Sequence, residues 1–406
     1  MDFHVDMGPQ YEGETVRKDD MQVEFGGPKC KAKFELVTLK NADEIEHEKV
    51  EIIGPDMGDV PVGTCLPLAM LIDIAGEELE KDMEPVIERR IHLYANYIEG
   101  LYHMNQRSDI WIRFSKDAYK KGLTSLKEVG EILMFLYTSE LMAIEKIQIT
   151  FVTDAEKVAE LAVEAKKIFD ARDERMKGLK EEDVEEFYGC VLCQSFAPTH
   201  ICTITPERIA NCGAINWFDG RAAYKLDPEG PIFAIPKGDT IDPVRGEYSG
   251  INENSSERSL GEYSQVYLHS AFEHPHTSCG CFQSICFYIP EVDAFGIVHR
   301  DFAGPTITGE PFSRMAGTTS GGRQVEGSLG LALEYLKSPK FIQADGGMYR
   351  MVWMPKEIKE RYKDYIPADL YDKIATEEDA KTADELTAFL ENAGHPWLKG
   401  EVELPG

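Results

Sequence analysis

The chain has no long hydrophobic run and carries far fewer basic than acidic residues. Its 406 residues include 43 lysines and arginines against 72 aspartates and glutamates, a formal net charge of −29. Nucleic acid is disfavoured as a partner, because its phosphates require a basic surface. A membrane is disfavoured too, because no segment reaches the roughly 18–20 apolar residues of a spanning helix. The start MDFHVDMGPQ lacks a signal-peptide pattern, which predicts a cytoplasmic location.

The length exceeds what one hydrophobic core ordinarily serves, so we predict two domains. Alternating strand and helix patterns predict an α/β to α+β domain over residues 1–180. The charge run DARDERMKGLKEEDVEEF then separates it from a second mixed domain over residues 181–406, which is rich in Gly and Pro turns.

Three local patterns predict helices. Apolar residues at spacings of three and four predict a long helix from Glu77 to Tyr102. Asp154 is placed to cap the helix that follows the strand IQITFVTD. Either Thr382 or Asp384 is expected to cap the last helix.

Nine cysteines, seven of them between residues 190 and 286, are the most informative residue type. An odd, clustered set favours metal or redox chemistry over a disulfide framework. The segment CVLCQSFAPTHICTITPERIANC contains four: Cys190, Cys193, Cys202 and Cys212. Four thiolates can hold an iron–sulfur cluster, whereas structural zinc usually shows two close pairs, and only the first pair here is close. The spacing favours the cluster, with zinc or free thiols as alternatives.

A second constellation is Cys279-Gly280-Cys281. Two thiolates two residues apart can bind a metal together with the intervening backbone nitrogens, a planar set that Ni(II) and Cu(II) prefer. Gly280, without a Cβ, would let the backbone bend tightly around the ion. The alternative is two buried thiols on one face of a strand. The nearby His274 and His276 could complete a zinc site, or they could be outer donors or surface groups.

With both constellations in view, the chain resembles the catalytic part of acetyl-CoA synthase, the nickel–iron–sulfur enzyme of the reductive acetyl-CoA pathway. The resemblance rests on CVLCQSFAPTHIC, NCGAINW and SCGCFQ, and runs through nearly the whole chain. It implies a transferase that assembles acetyl-CoA from CO, a corrinoid-borne methyl group and coenzyme A. It also implies that residues 1–180 form a middle-type domain with candidate coenzyme A contacts, and that 181–406 form the metal-cluster domain.

The resemblance implies a role for each site residue by position. A 4Fe-4S cubane would be held by four thiolates: Cys190, Cys193, Cys202 and Cys212. Cys193 would also bridge to a proximal nickel, and Cys279 and Cys281 would join that nickel to a distal one. The backbone nitrogens of Gly280 and Cys281 would complete the distal site, and Phe196 would lie over the open face of the proximal nickel. Copper or zinc could replace the proximal nickel.

The resemblance also implies two protein partners: the corrinoid iron–sulfur protein that donates the methyl group, and CO dehydrogenase. Bacterial members carry a further N-terminal domain that docks on CO dehydrogenase, so this chain resembles the short archaeal form or a chain truncated to the last two domains. Direct channelling of CO is therefore not implied for this polypeptide alone. The competing functions are a non-catalytic iron–sulfur electron-transfer protein and a zinc-stabilised binding module.

Other features are predicted to be structural. The glycine-rich segment AGTTSGGRQVEGSLG at 316–330 favours a turn over a ligand-cradling loop, because it lacks the Lys-Ser/Thr of a P-loop. Cys286 is predicted to be a core thiol, and Cys30 and Cys65 are predicted to be structural. A basic group could receive coenzyme A, although an ordinary surface is favoured: Trp111, Arg113, Lys116, Lys120 and Lys121.

Overall fold

The structure is a computed structural model that describes residues 20–27, 30, 32–106, 109–193 and 197–404. The chain divides into two compact units between Lys177 and Gly178. Both units combine helices with sheets, which confirms the predicted mixed α/β class. Across the described ranges, no helix has both the length and the hydropathy to cross a bilayer.

The first unit contains two mixed four-stranded sheets. Its strands are β1 (Met21–Phe25), β2 (Lys33–Leu39), β3 (Lys49–Ile53), β4 (Thr64–Leu66), β5 (Leu68–Ala75), β6 (Leu101–Gln106), β7 (Asp109–Ser115) and β8 (Lys146–Val152). Its helices are α1 (Glu84–Ala95), α2 (Lys116–Lys121), α3 (Leu126–Glu140) and α4 (Ala155–Glu174). The strand orders are β2-β5-β8-β3 and β4-β1-β7-β6, each with parallel and antiparallel neighbours.

The expectation of one helix from Glu77 to Tyr102 is wrong in its bounds. Helix α1 ends at Ala95, and β6 begins at Leu101. Between them, Gly100 has a φ of 76°, a left-handed conformation that interrupts a right-handed helix. Ile98 remains buried, with 4 % of its surface exposed, although it lies in the turn. The apolar spacing therefore continues past the end of the helix.

The predicted caps are confirmed at two helices. The Asp154 side chain accepts a hydrogen bond from the Lys157 N–H of α4 at 3.0 Å. The Thr382 hydroxyl accepts from the Glu385 N–H at 3.3 Å and begins the last helix, Ala383–Ala393. Thr382, and not Asp384, is therefore the cap of that helix. Asp384 lies in the first turn, where its charge favours the helix dipole.

The second unit contains sheets of three, two and four strands. Its strands are β9 (Glu186–Cys190), β10 (Cys202–Ile204), β11 (Ile232–Pro236), β12 (Thr240–Asp242), β13 (Glu247–Tyr248), β14 (Ser284–Ile289), β15 (Ala294–His299), β16 (Ser328–Leu331) and β17 (Met351–Trp353). Its helices are α5 (Trp217–Leu226), α6 (Ser249–Arg258), α7 (Phe312–Thr319), α8 (Lys356–Arg361) and α9 (Ala383–Ala393). The orders are β10-β9-β11, β12-β13 and β16-β14-β15-β17.

Two cysteine-bearing segments meet at the core of this unit. Strand β9 ends at Cys190, and the chain then turns through Cys193. The residues that lead into β14 include Cys279, which belongs to a buried cluster with Phe282, Ile285 and others; Cys193 and Cys281 pack against that cluster. The packing of β14 in the core thus fixes one segment beside the other.

Candidate metal centre

Three cysteines from the two segments form a compact group. The Sγ atoms of Cys193, Cys279 and Cys281 all lie within 4.8 Å of one another. Cys279 is buried, with 3 % of its surface exposed, whereas Cys193 and Cys281 are half-buried. Thiols from a turn and from a Cys-Gly-Cys segment therefore converge, one of them buried and two of them partly exposed.

Cys190, Cys202 and Cys212 are not part of this group, but they lie near one another. Cys190 ends β9 and is the register partner of Cys202, which begins β10, so their backbones are neighbours. The Cys202 Sγ accepts a hydrogen bond from the Asn211 N–H at 3.3 Å, which brings the residue before Cys212 alongside. Burial raises the pKa of the Cys202 thiol well above its ordinary value, and the charges of Cys190, Cys279 and Cys212 raise it further.

Two thiols of this group, those of Cys193 and Cys279, resist ionisation. Hydrogen bonds with Cys279 and Cys281, and then burial, raise the pKa of Cys193. The contact with Cys193 lowers the pKa of Cys279, but the contact with Cys281 and burial outweigh it, so the pKa of Cys279 is raised. Three thiolates this close repel one another unless a cation lies among them. A metal ion supplies that charge and releases the thiol protons, so the donor set fits a thiophilic metal.

Buried polar atoms around the cysteines also fit an anionic group. Within the described part of the chain, several have no hydrogen-bond partner: Arg208 Nε and Nη1, Asn211 Nδ2, His200 Nε2 and His276 Nδ1. His276 Nε2 accepts from the Thr203 N–H at 3.0 Å, and burial lowers the pKa of this imidazole well below its ordinary value, so the neutral ring carries its proton on Nδ1. The nitrogens of Arg208, Asn211 and His276 are donors, from which the sulfur atoms of a thiolate-bound cluster could accept hydrogen bonds.

The sequence patterns missed three residues of this environment. His200 is buried, hydrogen-bonded to the Thr277 hydroxyl at 2.9 Å, and its pKa is lowered to about 4, mainly by burial. Its position in THIC, two residues before Cys202, was an available signal. Arg208 and Arg300 gave no such signal, because an arginine outside a motif is usually a surface residue. Of the two predicted histidines, His276 is buried beside the site and His274 is exposed.

Phe196 and Gly280 are the two predicted site residues other than cysteines. Phe196 lies outside the described residues, so its position over the site stays a prediction. Gly280 does not have a left-handed φ, and a Cβ added to it would meet only the Ser320 Cβ, at an ordinary 3.8 Å. The steric reason that the sequence suggested for this glycine is therefore not found in the structure.

The other three cysteines were predicted to be structural. Cys286 is fully buried in β14 within an apolar cluster, which confirms it as a core thiol, and burial raises its pKa. Cys65 donates to a Glu24 carboxylate oxygen at 3.1 Å. Cys30 is partly exposed.

The basic group of the first unit is partly neutralised by acidic neighbours. Arg113 forms an ion pair with Glu24 and lies over the Trp111 ring, 4.6 Å from its centroid. Lys121 contacts Glu99 and Asp117 at 2.8 and 2.9 Å. These contacts favour an ordinary surface over a phosphate site, since paired charges attract an anion less.

Comparison with known proteins identifies the family. Residues 169–403 match the family of the C-terminal part of the ACS/CODH beta subunit, and residues 3–158 match the family of the CO dehydrogenase/acetyl-CoA synthase complex beta subunit. The acetyl-CoA decarbonylase/synthase complex subunit beta of Archaeoglobus fulgidus is 56% identical over 402 residues, which are 99% of this chain and 76% of that protein. The chain therefore belongs to the ACS/CODH beta subunit family, which confirms the resemblance seen in its cysteine motifs.

Other relatives agree. Subunit beta 2 of the same complex from Methanocaldococcus jannaschii is 55% identical over 395 residues, covering 97% of this chain and 83% of that protein. A solved C-terminal domain of an acetyl-coenzyme A synthase alpha subunit has 42% sequence identity and covers 30% of this chain and 96% of that chain. Its TM-score is 0.28, too low to support a comparison of folds.

Proposed function

We propose that this chain is an acyltransferase, an acetyl-CoA synthase that assembles acetyl-CoA from CO, a methyl group and coenzyme A. The observation that carries the proposal is the convergence of Cys193, Cys279 and Cys281, whose Sγ atoms lie within 4.8 Å of one another. An electron carrier needs only the four thiolates of its cluster. A further metal requires a second, adjacent set of thiols.

The six cysteines divide into two overlapping ligand sets. Those that would hold the 4Fe-4S cubane are Cys190, Cys193, Cys202 and Cys212. Cys193, Cys279 and Cys281 would hold a proximal nickel, which copper or zinc could replace. Cys279 and Cys281, with the backbone nitrogens of Gly280 and Cys281, would hold a distal nickel. Low-valent nickel bound in such a sulfur-rich site would supply the carbon–carbon and carbon–sulfur bond formation that side chains cannot perform.

The protein contributes geometry and controlled access. Cys279 is buried in the core cluster, which fixes its direction and excludes water from that side. Cys193 and Cys281 are half-buried, so approach is possible from their side. Phe196, three residues after Cys193, is proposed to restrict the open position there. A site closed on one side and open on the other suits small reactants that arrive one at a time.

The names of the relatives support partners within a complex. Those proteins are named as subunits of an acetyl-CoA decarbonylase/synthase complex. We propose that this chain works in such a complex, with a corrinoid iron–sulfur protein as methyl donor and CO dehydrogenase as the source of CO. Coenzyme A contacts in residues 1–180 stay a prediction, and the domain boundary near 180/181 is proposed as the limit of the metal-cluster domain.

Metal analysis of anaerobically purified protein tests the proposal. We expect roughly two nickel and four iron per chain, as a cubane and two nickel sites require. Cys279→Ser and Cys281→Ser should lose nickel and acetyl-CoA synthesis but keep the iron and its visible absorbance, because the cubane ligands lie in the other segment. Cys30→Ser, at a partly exposed cysteine of the first unit, is the matched control and should keep both metals.

Each alternative gives a different result. Iron without nickel in the wild type would favour the electron carrier, and zinc alone would favour the binding module. Loss of the iron absorbance in Cys279→Ser and Cys281→Ser would contradict the division of ligands between the two segments.

A further inference from the structure

The guanidinium of Arg300 contacts the Cys-Gly-Cys segment directly. Arg300 follows β15, and its Nη2 donates to the carbonyl oxygen of Gly280 at 2.6 Å and to that of Phe282 at 3.1 Å. Its Nε is buried without a hydrogen-bond partner among the described residues, and the guanidinium lies 5.8 Å from the centroid of the Phe312 ring. A cation is therefore held against the backbone of this segment.

The contacted carbonyl belongs to a peptide group that also faces the thiols. The oxygen of Gly280 and the nitrogen of Cys281 share one conjugated peptide group. The Cys281 N–H donates to the Cys279 Sγ at 3.2 Å. One end of this peptide group thus points to the metal-binding sulfurs and the other end to a positive charge.

The carbonyl oxygen of the preceding peptide group, Cys279–Gly280, also accepts a hydrogen bond, but from a neutral donor. The carbonyl oxygen of Cys279 accepts from the Gly321 N–H at 3.1 Å, and that of Ser278 accepts from the Gly322 N–H at 2.9 Å. Gly321 and Gly322 have φ values of 96° and 75°, which glycine adopts readily. Gly321 and Gly322 therefore support the thiol segment through their backbone N–H groups.

A peptide nitrogen can bind a metal only after it loses its proton. The N–H bond breaks, the nitrogen binds the metal with the electron pair left behind, and the proton passes to water. The negative charge is then shared between the nitrogen and the carbonyl oxygen. A hydrogen bond from a cation to that oxygen is strengthened by the charge, and the low dielectric of a buried site strengthens it further.

From this arrangement we infer that Arg300 is a positioning residue that stabilises the deprotonated Gly280–Cys281 peptide group when its nitrogen binds nickel. This inference rests on the proposed function, because it assumes that nickel binds the backbone here. Arg300 would act through this peptide group and not as a metal ligand. Its effect is on the metal preference and the metal affinity of the Cys-Gly-Cys segment.

Metal selectivity separates this role from a purely structural one. Nickel in a planar site recruits the peptide nitrogens, whereas zinc prefers tetrahedral thiolate ligation and leaves them protonated. If Arg300 only held the segment in place, its removal would weaken both metals alike. If it stabilises the peptide charge, nickel binding alone should suffer.

The experiment uses the full chain, with the iron–sulfur cluster intact and nickel removed anaerobically. Wild type, Arg300→Gln and Arg300→Lys are titrated with Ni(II) and, separately, with Zn(II), against a competing chelator. The visible absorption band of planar Ni(II) is recorded in each. Arg323→Gln is the matched control, because Arg323 also donates to two backbone carbonyls, those of Thr318 and Ser320, neither of them in the thiol segment.

We expect Arg300→Gln to bind nickel about 10- to 100-fold more weakly, the usual cost of losing an outer-shell partner, with a shifted nickel band and unchanged zinc affinity. Arg300→Lys, which keeps the charge, should recover part of the nickel affinity, and Arg323→Gln should match wild type. If Arg300→Gln does not fold, Arg300→Met, which can keep the apolar contact with Phe312, takes its place.

Two results would overturn the inference: equal nickel affinity and band in the wild type and the neutral variants, or equal losses of nickel and zinc. Failure of the proposed function is distinguishable, because the wild type itself would then show no planar nickel band.

Discussion

Glu181 is the centre of a buried ion network near the start of the second unit, and its removal should destabilise that unit measurably. The carboxylate has no exposed surface. It accepts hydrogen bonds from the Thr205 hydroxyl at 2.5 Å and the Tyr248 hydroxyl at 2.6 Å. His269 Nε2 and Lys340 Nζ each lie 3.1 Å from it. The perturbation we consider is Glu181→Gln, which keeps the size and removes the charge.

Breaking a buried ion pair by removing one partner costs about 3–5 kcal/mol, because the remaining charge is left uncompensated. Lys340 keeps two carboxylates, those of Glu182 and Glu207, each at 2.8 Å. We therefore expect the lower end, about 3 kcal/mol of unfolding free energy. For a unit of this size, about 2–4 °C of melting temperature accompany each kcal/mol, so the expected loss is about 6–12 °C.

The effect should depend on pH with a defined sign. Burial raises the pKa of Glu181, but the charges and hydrogen bonds of His269 and Lys340 outweigh it, so the pKa lies well below its ordinary value of 4.5. A lowered carboxyl pKa contributes stability that is fully present above the unfolded value and is lost as the pH falls through the folded value. The difference between wild type and Glu181→Gln should therefore be largest near neutral pH and shrink below about pH 4.5.

The assay is anaerobic thermal and denaturant unfolding at matched metal content over a series of pH values. Glu378→Gln is the control, since Glu378 forms an exposed ion pair with Lys356 at 2.9 Å and should change stability little. Equal stability of Glu181→Gln and wild type at neutral pH would refute the reasoning. So would a difference that grows on acidification.

Three further predictions concern the metal centre. Gly280→Ala should keep the free energy of unfolding within about 1 kcal/mol of wild type, because the φ of Gly280 and its surroundings accept a Cβ. Denaturant unfolding measures this, and a much larger loss of unfolding free energy would contradict it. Phe196→Ala should retain both metals but change the number of CO molecules bound, seen in infrared carbonyl stretches; unchanged stoichiometry and inhibition would leave only a packing role. Arg208→Met removes a buried cation whose Nε and Nη1 have no partners in the described residues. It should make the reduction potential of the proposed cluster more negative in an EPR-monitored titration, and an unchanged potential would argue against a donor role.

The candidate ligands could be read from the sequence, whereas their surroundings could not. Cys190 to Cys212 and Cys279 to Cys281 are short segments, and metal chelation within a short segment depends on spacing and donor type, which can be read directly. The caps Asp154 and Thr382 were likewise predictable, because a cap bonds to backbone only three residues away. The end of helix α1 was not predictable, because Ile98 is buried although it lies in a turn, and its position continues the helical spacing of apolar residues.

By itself, the amino-acid sequence determined which residue types could hold a soft metal and that they occur in two segments. Only the tertiary structure decided that Cys193 meets Cys279 and Cys281, because the pairing of β9 with β10 and the packing of β14 in the core bring distant segments together. The same holds for Arg300, whose contact with the Gly280 carbonyl depends on where β15 ends beside the thiol segment. Long-range contacts of this kind arise from packing between elements, and no local spacing in the chain encodes them.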